Sequence, residues 1–266
     1  DGKSAGSMYA GKIDIISNDR GAGVNTKGDL VSIDDVTITA SGDITTQKVH
    51  STKRVVYKTP KKVRIRKQVT AGEKVVVKAK KTEIDVDAQV ITGYLKKSLG
   101  EEAFEAESDE VNIYGKIEAN GKVVINGKST RNAGQISAAD KVTVNGERLD
   151  NSKGEIRSDG KIELNTQSTV NRQGYILSDG LTKEDVARST ENLESIQNAE
   201  RLGNTSEAGV SISGDLDNTK GVVKGREVVI GGSLKGNSEG LVRSMGDLAV
   251  NGSVVDNAGG RLEGQI

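Results

Sequence analysis

The chain of 266 residues has no cysteine and no tryptophan, and only one proline (Pro60), one phenylalanine (Phe104) and one histidine (His50). Without cysteine there is no disulfide framework and no thiolate metal site. Aromatic residues make up 2%, which excludes a globular core built on ring bulk. A single proline argues against collagen-like or proline-rich disordered chains. A single histidine leaves one possible base for a Ser-His-Asp triad, and nothing beside His50 suggests that arrangement. The 38 basic and 38 acidic residues cancel, so no global charge draws the chain to nucleic acid or to an anionic membrane. No run approaches the ~18 apolar residues of a membrane-spanning helix. The opening Asp1-Gly2-Lys3-Ser4 lacks the basic and apolar parts of a signal peptide, and no initiator methionine precedes it. The sequence therefore reads as a piece of a longer chain, a monomer that uses no cofactor and has no catalytic function.

What is present is valine, isoleucine, leucine and 33 glycines, arranged in a repeat. Asn151, Asn171, Asn218, Asn237 and Asn257 each stand three residues before a glycine (Gly154, Gly174, Gly221, Gly240, Gly260), and Asn132 opens a near equivalent. From Asn132 onward the asparagines are separated by 19, 20, 47, 19 and 20 residues, and the 47 reads as one unit of 20 plus an insertion of 27. Within a unit, aliphatic residues alternate with polar ones, the period of a strand, and Asp159-Gly160 or Asp179-Gly180 supply turns. Strands of three to five residues cannot bury an inner face alone. A period near 20 lets each aliphatic sit ~4.8 Å above its equivalent in the coil below. The predicted fold is all-β, a right-handed parallel β-helix of twelve or so turns with a hairpin excursion and one helical insertion, forming a single shaft over residues 1–266.

Three stretches depart from the plain repeat. Residues 48–69 read as a basic hairpin, with alternating runs on either side of Thr59-Pro60. Residues 93–109 read as an irregular acidic excursion. Residues 181–208 read as a helical insertion, because Thr182 and Asp185 resemble a capping box and Val186, Ser189, Leu193, Ile196, Ala199 and Leu202 follow at helical spacing. Charge is segregated here. Lys48 to Lys81 holds 13 basic residues against Glu73, and Glu83 to Glu110 holds nine acids against Lys96 and Lys97. Such blocks suit ion pairs between neighbouring strands. The alternative is a basic surface, carried by Lys61, Lys62, Arg64, Arg66 and Lys67, that binds anionic glycans. Without interleaved aromatics it does not suit single-stranded nucleic acid.

The repeated asparagines are expected at one corner of the coil, with their amides bonded up and down the column. Gly154, Gly174, Gly221 and Gly240 are expected to take positive φ there. Asp85 with Asp87, and Asp34 with Asp35, are the paired carboxylates that a polysaccharide-degrading β-helix would need. Solvated strand positions explain them equally, and sugar-cleaving clefts generally add aromatic platforms that this chain lacks.

The phrases Asn151-Ser152-Lys153-Gly154-Glu155-Ile156, Leu216-Asp217-Asn218-Thr219-Lys220-Gly221 and Val255-Asp256-Asn257-Ala258-Gly259-Gly260 resemble the repeats of filamentous haemagglutinins and of the exoproteins of contact-dependent growth inhibition. Met8-Tyr9-Ala10-Gly11-Lys12-Ile13 and Gly21-Ala22-Gly23-Val24-Asn25 resemble the segment just after the secretion domain of such proteins. The likeness covers 5–45 and 115–266 and is thin over the basic stretch and the insertion. It implies a two-partner secretion exoprotein, exported through an outer-membrane barrel transporter to the bacterial cell surface. There it would present an adhesive element to a receptor or glycan, or carry a toxin.

Overall fold

The computed structural model describes residues 6–94, 103–186 and 209–265. It is an all-β parallel solenoid of about 11 turns with about 20 residues in each, close to the twelve expected. Successive coils pair in parallel on three faces. The first face climbs from Met8–Ala10 to Arg261–Gln265. The second starts at Ile13–Ser17 and the third at Val24–Asn25. Longer strands bend round a corner and serve two faces: Lys141–Asp150 joins the second to the third, and Ile44–Ser51 joins the third to the first.

The alternation in the sequence becomes the wall of the core. Val36–Ala40 alternates buried and half-buried positions, and Lys74–Lys78 continues the pattern. On the first face Val49, Val69, Val90, Ile117, Ile136 and Ile156 lie in one register column, each fully or almost fully buried. Each such side chain contributes roughly 1.5–3 kcal/mol on leaving water, but only because a coil above and a coil below cover it. At the end of this face the chain turns sharply, and the column there is small: Ser51, Ala71, Thr92, Ala119, Ala138 and Ser158. The Ser158 hydroxyl donates to the Asp140 carbonyl (3.1 Å) and accepts from the Gly160 amide (3.2 Å), satisfying the backbone at the bend.

The hairpin expected over 48–69 is not formed. Ile44–Ser51, Arg54–Lys58 and Lys62–Ala71 are strands of ordinary coils, and each pairs in parallel with the coils on either side. Val49, Val55, Tyr57, Val63, Ile65 and Val69 point inward as equivalents do elsewhere, so a hairpin would expose what the coil buries. Pro60 marks a corner, where its missing amide costs no ladder bond. The excursion expected over 93–109 is also corrected in part. Ala103–Glu107 is a strand of the second face, with Phe104 fully buried; residues 95–102 lie outside the described residues. At the insertion, the Thr182 amide and hydroxyl both donate to Asp185 Oδ2 (2.8 and 2.7 Å). The Asp185 amide donates back to Thr182 Oγ1 (3.2 Å). Residues 183–186 are helical, and Leu181 and Val186 pack with Leu177 against Tyr175 and Val222 on the outer wall. The remainder of the expected helix, 187–208, lies outside the described residues. Among the described residues no helix is long and apolar enough to cross a membrane.

Candidate functional site

The corner between the third and first faces carries the most ordered polar array. Asn132, Asn151, Asn171, Asn218, Asn237 and Asn257 stand directly over one another. Each Nδ2 donates to the Oδ1 of the next, at 2.7, 2.7, 2.8, 2.8 and 2.7 Å. Asn132, Asn151, Asn171, Asn218 and Asn237 are fully buried. The same amides also reach backbone carbonyls: Asn218 Nδ2 donates to Gly221 O and to Leu241 O, both at 3.1 Å. A bond of this kind contributes about 1 kcal/mol net, and an orphaned buried amide costs ~1–3 kcal/mol. The array therefore opposes any slip of one coil over another.

The glycines sit at this corner for a different reason from the one expected. Gly154, Gly174, Gly221 and Gly240 do not have positive φ. The preceding residues do: Lys153 (63°), Gln173 (55°), Lys220 (55°) and Glu239 (54°). The Gly154 amide donates to the Asn151 carbonyl (3.0 Å) and the Gly221 amide to the Asn218 carbonyl (2.9 Å), closing a four-residue turn. Its third residue takes the left-handed conformation, the pattern of a type II turn. The glycine is required because the ladder passes over it. A Cβ on Gly154 would meet Asn151 Oδ1 at 2.8 Å and Asn132 Nδ2 at 2.9 Å.

Two features of this corner escaped the sequence pattern. In the earlier coils the same column is aliphatic, Ile65, Ile84 and Ile113, and it changes to asparagine at Asn132. A second, exposed ladder joins Asn126, Asn145 and Asn165 on the second face (2.7 and 2.8 Å). The Asn126-Gly127 and Asn145-Gly146 pairs, 19 residues apart, were its only signal.

The segregated charges largely neutralise one another between coils. Arg64 Nε lies 2.8 Å from Asp85 and 3.2 Å from Glu83, and Arg66 Nε lies 3.6 Å from Asp85. Lys74 meets Glu105 and Lys81 meets Glu110, both at 2.8 Å. The Lys81 hydrogen bond, with one from Asn112, holds the Glu110 carboxyl below its ordinary range. The Arg54 hydrogen bond does the same for Asp35. The candidate catalytic carboxylates are thus engaged: Asp85 by Arg64, Asp34 by Lys53 (2.7 Å) and Asp35 by Arg54 (2.6 Å), while Asp87 is exposed. His50 Nε2 lies 3.1 Å from the Tyr94 hydroxyl, and no serine or carboxylate completes a triad with it among the described residues.

The five basic candidates divide. Arg64 and Arg66 are paired as above, whereas no carboxylate lies within ion-pair distance of Lys61, Lys62 or Lys67 among the described residues. Lys61 and Lys62 adjoin a cleft of about 670 Å³ lined by Lys58, Thr59, Pro60, Lys78 and Lys80, at the corner between the second and third faces. There Lys78 meets Glu107 at 3.2 Å, and Lys58 and Lys80 have no such partner among the described residues. Lys58 and Lys80, absent from the sequence-based set, share that surface because adjacent coils stack them.

The family profile described as Haemagglutinin repeat matches residues 2–48, 90–220 and 211–265, which is most of the chain. The unmatched stretch between 48 and 90 contains the lysine cleft, although its coils are as regular as the rest. No curated protein and no solved structure matches the chain.

Proposed function

The chain belongs to the haemagglutinin-repeat family, and from that premise we propose that it is a shaft segment of a secreted, cell-surface exoprotein of the filamentous haemagglutinin type. Its work is mechanical. It holds a distal adhesive or toxic element away from the cell that made it. The observation that carries this reading is the continuous axial stacking, in which columns of aliphatics and asparagines run through coil after coil. At ~4.8 Å per coil, about 11 turns extend roughly 50 Å. Passage through an outer-membrane barrel transporter belongs to the same proposal. Coils that fold outside the cell cannot slide back through a narrow pore, so folding would draw export outward.

A shaft tolerates the removal of one whole coil, because every coil makes the same contacts. Deleting residues 152–171 from the full-length exoprotein joins Asn151 to Arg172 and keeps the Asn-x-x-Gly phrase. The expected result is normal secretion, a melting temperature close to the parent's, and only a graded fall in adhesion or inhibition. Complete loss of activity in a folded, secreted deletion would overturn the shaft reading.

The lysine cleft favours a second reading, direct binding of an anionic glycan. Unlike Arg64 and Arg66, Lys58, Lys61 and Lys80 retain uncompensated charge. At about 1 kcal/mol per cation against an anionic surface, replacing all three by alanine should weaken heparin binding by about 100-fold. Arg64→Ala with Arg66→Ala should weaken it far less, and the affinity should fall steeply with salt. Salt-independent binding, or equal loss in both sets, would remove this reading.

A further inference from the structure

Both interruptions of the coil spacing open at the same corner, the one that ends the first face. The first leaves after Gln89–Thr92 and rejoins at Ala103–Glu107; the second leaves after Tyr175–Leu177 and rejoins at Gly209–Ile212. Four coil steps separate them, about 19 Å along the axis. In the three coils between, the corner is two residues long: Asn120-Gly121, Ala139-Asp140 and Asp159-Gly160. Insertions in a solenoid collect on the face that meets partners.

A cleft of about 320 Å³ lies on that face between the two levels, lined by Thr92, Glu118, Asn120, Ser137, Arg157 and Asp159 among others. It lies within the lower range of ligand-sized pockets. Its floor is fixed, since the Asn120 amide donates to the Gly93 carbonyl at 2.6 Å. Two polar atoms there are buried without a hydrogen-bond partner: Arg157 Nε and Thr92 Oγ1, the latter on a residue only 1% exposed. Orphaned donors of this kind are uncommon in folded proteins and call for an acceptor.

The surrounding groups narrow what that acceptor is. Glu118 is already held by Lys116 at 2.5 Å and by Gln89 at 2.8 Å. Asp159 is exposed and has no ion-pair partner among the described residues. The cleft therefore offers donors at its base and one available carboxylate at its rim. An anionic ligand would meet Asp159 and Glu118 unfavourably. No aromatic ring lines the cleft, so a sugar would find no stacking platform. A peptide fits both ends, with main-chain carbonyls accepting from Arg157 Nε and Thr92 Oγ1, and a cationic side chain meeting Asp159.

We propose that this cleft docks a protein partner through an extended segment whose carbonyls face Arg157 and Thr92 and whose lysine or arginine side chain meets Asp159. The site is independent of the lysine cleft, which lies at another corner, and does not depend on the shaft reading.

The test is to pan a displayed library of random short peptides on the purified chain, then measure the recovered peptides on Arg157→Gln and Asp159→Ser. Neither side chain belongs to the aliphatic columns, so both variants should melt as the parent does. Recovered peptides should be rich in lysine and arginine and bind each variant about tenfold more weakly, the loss expected for one charged hydrogen bond. Peptides that bind both variants as tightly as the parent, or a library that yields no enrichment, would overturn the proposal. So would glucose, galactose or N-acetylglucosamine shifting the Thr92 and Asn120 amide resonances while no peptide does, because the occupant would then be a glycan.

Discussion

Asn218→Leu is expected to lower the melting temperature by roughly 10 °C. The change removes the acceptor of Asn171 Nδ2 (2.8 Å) and the donor to Asn237 Oδ1 (2.8 Å), and it leaves the Leu241 carbonyl without its amide. Two or more buried polar groups orphaned at ~1–3 kcal/mol each give about 3–5 kcal/mol. For a chain of this size 1 kcal/mol corresponds to about 2–4 °C. Leucine adds apolar surface but has no room to use it, because the corner above and below is filled by amides. The loss should be local at first, since a solenoid coil touches only its neighbours. Amide exchange should accelerate in the coils adjoining Asn218 before it does near Val49 or Val69. Asn257→Leu should cost much less. That residue is only partly buried, and a single ladder bond, from Asn237, ties it to the column. Equal melting temperatures for Asn218→Leu and the parent would mean that the ladder contributes nothing.

Gly174→Ala should be nearly as damaging, through contact rather than hydrogen bonding. A Cβ at this position would lie 2.5 Å from Asn171 Oδ1 and closer still to the Asn151 carbonyl, inside the 3.0 Å that real Cβ contacts respect. Neither atom can withdraw. One is backbone in the coil below, and the other is fixed in the ladder. The coils must separate or the ladder must break, at about 2–4 kcal/mol. Gln173→Gly is the contrasting change. Gln173 holds φ at 55°, a conformation that costs a side-chain-bearing residue ~1–2 kcal/mol and glycine almost none. Glycine returns part of that gain as unfolded-state entropy. Gln173→Gly should therefore melt within a few degrees of the parent, or slightly above it. If thermal melts showed the reverse order, with Gly174→Ala harmless and Gln173→Gly destabilising, the corner would be held by backbone conformation at 173 rather than by close approach at 174.

The repeat was legible because its signals are local. Asparagine three residues before glycine, with alternating aliphatics, states the coil length, and constant coil length implies stacking. The ladder followed from the same spacing. The glycine role was misplaced by one residue because the sequence shows that the turn is tight, not whether the tightness lies in φ or in space. The hairpin expectation failed for a related reason. Two alternating runs about Thr59-Pro60 are written the same way whether the second strand returns beside the first or continues into the next coil. Only the columns above and below Val63 and Ile65 decide, and those belong to residues some 20 positions away.

The lysine cleft and the Arg157 cleft were illegible for the same cause. Their members come from different coils, and no motif joins Lys58 to Lys80 or Thr92 to Arg157. By itself the sequence determined the period, the inward-facing set and the asparagine column, because each is encoded within one coil. Tertiary structure alone decided which side chains from different coils share a surface and which charges cancel. Those depend on the register between coils, which the packing of the whole stack sets.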